Sequence, residues 1–155
     1  MKRKIIVTLY VLAAVLFTGC NKSNGGGLEN EPETLMGNEP RPTWTMPSGH
    51  DYTSSMTAVV KIDLTKMYPN RAKDFVANEN DLLAAFIGDQ CISKAKQVDS
   101  LYYLFVAGSE GTVTLWFYSG YYKNLFAAKD AFVYKNDAML GTVKDPFIPT
   151  FFLDK

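Results

Sequence analysis

The chain has 155 residues, 47% of them apolar, and its 16 basic residues are matched by 16 acidic ones. That balance excludes the basic excess that draws a protein to nucleic acid, and no nucleic-acid partner is expected. One histidine and two cysteines exclude paired-histidine and cysteine-cluster metal sites, so no metal or other cofactor is expected.

Residues 1–19 read as a secretory signal. Lys2-Arg3-Lys4 is a positive patch, residues 5–17 form an apolar run, and Thr18-Gly19-Cys20 places small residues ahead of a cysteine. The thirteen-residue run falls short of the length that spans a bilayer, which is roughly twenty residues. The pattern resembles a bacterial lipoprotein signal, which implies cleavage before Cys20 and lipid attachment there. Phe17 stands where that type of signal prefers Leu. In such lipoproteins a residue other than Asp after the cysteine implies the outer membrane, and here it is Asn21. The run Asn21-Lys22-Ser23-Asn24 is not the acidic run that goes with surface export. Lys2, Arg3 and Lys4 leave with the signal, so the mature chain has a small acidic excess.

Residues 20–43 read as a lipidated flexible tether. They hold Gly25-Gly26-Gly27, Pro32, Pro40 and Pro42, and no apolar periodicity. A linker of that length spans on the order of 25–30 Å. The folded domain is expected over residues 44–155. Met56, Ala58, Val60, Ile62 and Leu64 alternate with Thr57, Val59, Lys61 and Asp63, the pattern of a half-buried strand. Residues 82–87 are a fully apolar run that stops at Gly88-Asp89, and residues 90–96 are its expected hairpin partner. Residues 101–107 and 112–118 are two further strands, and the polar turn Gly108-Ser109-Glu110-Gly111 between them predicts a hairpin. Shorter strands are expected at 125–128, 131–135, 141–143 and 147–153. A helix over 121–133 is rejected because its apolar residues keep no 3.6-residue stripe. Many short strands with turn chemistry between them predict an all-β fold, a single antiparallel β-sandwich.

Catalytic machinery is not legible. Ser48, His50 and Asp51 are neighbours in sequence, whereas triad members meet from separate elements. Glu79, Asp81 and Asp89 bracket the strand at 82–87, and Asp81 with Asp89 is the one carboxylate pair worth testing for hydrolysis, with failure expected. Cys91 has no partner if Cys20 carries lipid, and its apolar setting predicts a buried, inert thiol. No enzymatic activity is expected.

The aromatic residues are more suggestive. Trp116 and Tyr118 lie on the strand face opposite Val113, Leu115 and Phe117. Tyr121 and Tyr122 follow, and Trp44 opens the domain. Aromatic rings exposed on a rigid sheet suit stacking against a sugar ring, while aromatic residues also serve cores.

The segment 44–152 resembles a domain found in surface and secreted proteins of the Bacteroidota. The resemblance rests on Trp44, on Tyr52 with Ser55-Met56, and on Asp81-Leu82-Leu83-Ala84-Ala85-Phe86-Ile87-Gly88-Asp89-Gln90-Cys91. Tyr102-Tyr103, Phe117-Tyr118, Gly141-Thr142 and Pro146-Phe147 complete it. The sequence departs after Cys91, where Ile92-Ser93 replace the usual Arg-Gly. The resemblance implies a β-sandwich on the cell envelope and brings no established activity or functional residues. Asp99-Ser100-Leu101 also resembles the three-residue O-glycosylation site of such bacteria.

Together these readings predict a non-enzymatic outer-membrane lipoprotein that is held by its N-terminal lipid. Its sandwich would bind a polysaccharide through Trp116, Tyr118, Tyr121, Tyr122 and Trp44. The competing expectation is a structural module that docks to another envelope protein through an apolar patch or a sheet edge.

Overall fold

The computed structural model describes residues 32–47, 54–108 and 110–154. The signal at 1–19, the lipid site Cys20, Ser48, His50, Asp51 and Tyr52 lie outside the described residues.

The fold is all-β and sandwich-like, with two sheets dominated by antiparallel pairs. Sheet 1 contains β1 (Ser55–Lys61), β4 (Lys96–Val98), β5 (Leu101–Ala107) and β9 (Met139–Leu140), in the order β4-β5-β1-β9. Sheet 2 contains β2 (Leu82–Ile87), β3 (Gln90–Lys94), β6 (Thr112–Ser119), β7 (Asn124–Ala128) and β10 (Phe151–Leu153), in the order β10-β7-β6-β2-β3. β8 (Phe132–Val133) pairs with the start of β6.

The period-two alternation read from the sequence sets the inner faces. Met56, Ala58 and Val60 of β1 and Tyr102, Leu104 and Val106 of β5 meet Leu83, Ala85, Val113, Leu115 and Phe117 of sheet 2 in one buried core. Phe117 is fully buried, with the rings of Phe75, Tyr102, Phe126 and Phe151 5.8–6.2 Å away. Large apolar side chains buried this way each contribute about 1.5–3 kcal/mol.

Several expectations are corrected. Residues 108–111 do not close a hairpin, because β5 belongs to sheet 1 and β6 to sheet 2. Alternation defines which face of a strand is buried but not which strand lies beside it, so an arch between sheets satisfies the same pattern. A second crossing occurs at Ala95, the one residue between β3 in sheet 2 and β4 in sheet 1. Its N–H still bonds to Leu83 of β2 at 2.8 Å, and β2 carries a register shift between Ala85 and Phe86 opposite β3. Irregularities of this kind let a strand turn a sandwich corner.

Leu64 does not extend β1; it opens a 3-10 turn, Leu64–Lys66, capped by the Asp63 side chain on the Thr65 N–H. The expected strand at 131–135 shortens to Phe132–Val133, and the one at 147–153 shortens to Phe151–Leu153. Strand structure at 141–143 is replaced by a loop that follows β9. That loop seals the free edge of β1: the Phe147 N–H bonds to the Val59 carbonyl at 2.9 Å, and the Lys61 N–H to the Phe147 carbonyl at 2.9 Å. A covered edge cannot recruit a foreign strand.

The tether expectation over residues 20–43 is also shortened. Leu35 is 2% exposed and belongs to the core, and Gly37 and Glu39 donate their N–H groups to the Tyr122 and Lys123 carbonyls at 2.8 and 3.0 Å. The folded unit therefore begins by Leu35 rather than at Trp44. Leu28, Leu35 and Met36 in a polar, proline-rich run leave no periodicity to read, so the burial of Leu35 is set by tertiary contact alone.

Gly141 explains the late Gly-Thr and Pro-Phe pairs. Its φ is +72°, and a Cβ there would stand 2.5 Å from the Phe147 nitrogen and 2.6 Å from the Val59 oxygen. Gly141→Ala is expected to destabilise the fold by about 2 kcal/mol or more, read as a lower urea midpoint with an unchanged m-value.

Candidate functional site

The outward face of sheet 2 carries a shallow cleft of about 250 Å³ lined by Trp44, Phe86, Gly88, Asp89, Trp116, Leu125 and Asp154. Register explains why it is there. Trp116 on β6 stands directly between Ala84 of β2 and Ala127 of β7, so neither neighbouring side chain covers its ring. Phe86 follows two residues after Ala84 on the same face, and Leu125 lies two before Ala127. Trp44 reaches this face from the N-terminal segment and meets Phe86 edge-on, with ring centres 5.3 Å apart at 83°. Ala84, Phe86 and Cys91 form a small buried cluster on this outer face, with Trp44 and Trp116 packed partly exposed against it.

Two carboxylates complete the cleft. Asp89 projects from the tight β2–β3 turn, where Gly88 adopts φ +57°, and Asp154 follows β10. Both residues are exposed, and among the described residues neither carboxylate has a hydrogen bond or an ion pair. Among the described residues, no basic side chain lines the cleft.

The five aromatic residues expected to bind ligand separate into two groups. Trp116 and Trp44 come together in the cleft. Tyr118 shares the face of Trp116 but is 5% exposed, because residues 37–41 lie over it and its hydroxyl donates to the Glu39 carbonyl at 3.0 Å. An open, paired Trp116/Tyr118 platform is therefore not formed. Tyr122 is buried, stacked on Phe75 with ring centres 6.0 Å apart, and its hydroxyl donates to the Arg71 carbonyl at 3.1 Å. Burial, with Tyr121 and Asp74 nearby, pushes its phenol above the usual range. Tyr121 is exposed at the β6–β7 turn and is not part of the cleft lining. The sequence missed Phe86, Leu125 and Asp154. An all-apolar β2 shows no alternation to reveal an outward Phe86, and Asp154 joins Asp89 only through the order of strands.

The remaining candidates have structural surroundings. Cys91 is 5% exposed, its thiol points to the Ser93 carbonyl, and burial pushes it above its usual range. Ser100 is exposed at the tip of the β4–β5 turn, beside Asp99 at φ +55°. Among the described residues, no group of three or more His, Cys, Asp or Glu side chains can hold a metal ion. Asp81 and Asp89 do not form a pair. They stand at opposite ends of β2, which spans roughly 20 Å, well beyond the separation of about 5–10 Å that glycosidic hydrolysis requires.

Asp81 is instead a buried acceptor, 6% exposed. Its carboxylate receives the Asn78 N–H at 3.0 Å, the Gly120 N–H at 2.8 Å and the Tyr102 hydroxyl at 2.8 Å. Burial raises its pKa above the usual range, while these three donors pull it down in part. The same burial, together with the negative charge of Asp81, pushes the Tyr102 phenol far up. No family model matches the chain, and no curated protein or solved structure matches it.

Replacing Asp81 by Asn puts an amide NH2 where a carboxylate oxygen accepts, at an expected cost of about 1–3 kcal/mol. A folded pKa above the unfolded one means that Asp81 contributes most below about pH 4 and loses that contribution as pH rises through the folded value. The stability difference between wild type and Asp81→Asn should therefore be larger near pH 4 than near pH 7, as measured by urea unfolding at both.

Proposed function

We propose that this protein is a non-enzymatic, outer-membrane lipoprotein anchored through Cys20, whose sandwich binds a saccharide in the cleft beside Trp116. The observation that carries the reading is the placement of Trp116 between Ala84 and Ala127, with Trp44 at the side of the cleft. A sugar ring laid on the indole would find an apolar stacking surface, and its hydroxyls would find two carboxylates without a partner among the described residues. The volume of about 250 Å³ suits one or two sugar rings rather than a long groove. Phe86, Trp116 and Leu125 stand on strands, so little ordering of this part of the site is needed on binding. Trp116→Ala is expected to weaken saccharide binding about tenfold or more, measured on a glycan array and then by calorimetry. Trp44→Ala should give a smaller loss, and circular dichroism must show both variants folded. Binding unaffected by either change would remove the cleft from the reading.

A second reading, docking to another envelope protein, is favoured by the outward face of sheet 1. Phe105, Met139 and Val143 are 62%, 67% and 64% exposed there, and Phe105 and Tyr103 of β5 stand opposite Thr57 and Val59 of β1. Apolar side chains grouped on one face mark contact surfaces. A photo-crosslinker at position 105, in intact envelopes, should form a defined adduct that a crosslinker at exposed Lys129 on the other sheet does not. The absence of such an adduct would leave the saccharide reading alone.

A further inference from the structure

We infer that the cleft selects a sugar carrying a protonated amino group over neutral and uronic-acid sugars. This inference rests on the saccharide reading and specifies the ligand class within it. Three aromatic side chains, Trp44, Phe86 and Trp116, bound the cleft on its apolar side, and Trp44 and Phe86 are set nearly at right angles. Phe86 is buried behind the two partly exposed indoles, and a cation over an aromatic face is attracted by the ring quadrupole. Asp89 and Asp154 are the charged residues of the lining, and neither is neutralised by a partner among the described residues. Among the described residues, two cations of sheet 2 and its margins have other surroundings. Lys129 lies over the Phe152 ring at 5.9 Å, and Lys94 faces a separate cavity that it lines with Met46 and Phe105.

Each charge state of the ligand then meets a different balance. An ammonium group would gain attraction from the ring faces and a charge-assisted hydrogen bond to a carboxylate. A neutral N-acetyl or hydroxyl group in the same place would keep the stacking and lose both charge terms. A uronate would place its carboxylate beside Asp89 and Asp154, where like charges repel. Both carboxylates are exposed, so the discrimination is moderate and salt-sensitive.

The test is calorimetric titration of the full chain in detergent with three probes: a glucosamine oligosaccharide, its fully N-acetylated counterpart, and an oligogalacturonate. A mildly acidic buffer keeps the amines charged. The expected result is about five- to tenfold tighter binding of the glucosamine oligomer than of the acetylated one, with the uronate weakest. The advantage should shrink with added salt. In the Asp89→Asn, Asp154→Asn double variant it should disappear while stacking-dependent binding of the acetylated oligomer persists. Both positions are exposed, and the variant's fold is checked by circular dichroism. Equal or tighter binding of the acetylated or uronate probe, or a preference that survives the double variant, overturns the inference and leaves the saccharide reading standing. Binding of none of the three overturns both.

Discussion

The structure depends on one buried carboxylate. Asp81 stands at the entrance of β2 and accepts bonds from three separate parts of the chain: the preceding loop at Asn78, the β6–β7 turn at Gly120, and Tyr102 in the opposite sheet. Burying an acid is costly unless its lone pairs are filled, and here three donors fill them. The Tyr102 ring also packs edge-on against Phe117, so the polar bond and the aromatic core hold the same inter-sheet spacing. The loop is pressed close enough that a Cβ on Gly120 would stand 2.6 Å from Asn80. Only glycine lets the turn lie beneath that loop.

The candidate site inherits its geometry from this junction. The N-terminal segment docks where the two turns meet: Arg41 donates through Nε to the Asn80 carbonyl at 3.0 Å, while Gly37 and Glu39 bond to the turn at Tyr122 and Lys123. From there the chain crosses the outer face of sheet 2, covers Tyr118 and delivers Trp44 to Phe86. A segment with little apolar content of its own is held by hydrogen bonds to a rigid turn, and one buried leucine, Leu35, adds the apolar part. One segment thus removes Tyr118 from the surface and supplies the second indole of the cleft.

The two outer faces also differ in chemistry. Sheet 2 presents indole rings and carboxylates, while the cavity on sheet 1 is lined by Thr57, Val59, Tyr103, Met139, Thr142, Val143 and Lys144, without an acid. Sandwiches bury one face of each sheet and leave the other to evolve separately, so two distinct surfaces on one small domain are physically compatible. The edge of β1 is closed by β9 and the loop that ends at Phe147, which leaves side chains rather than free backbone as the means of contact at that edge.

The sequence by itself determined the fold class and the inner faces. Alternation in β1 and β6 is local chemistry, so Val60 and Phe117 could be assigned to the core from spacing alone. It also singled out Trp116 and Trp44, since an outward indole breaks the polar half of an alternating strand or stands alone in a polar run. Only the tertiary structure decided which strands are neighbours, and therefore that β5 and β6 lie in different sheets and that Ala84 and Ala127 flank Trp116. It alone decided that Tyr118 and Tyr122 are covered and that Asp89 and Asp154 share a cleft. The physical reason is that periodicity reports the direction of a side chain relative to its own strand. What covers that side chain depends on segments far away in the sequence, and no local pattern encodes their arrival.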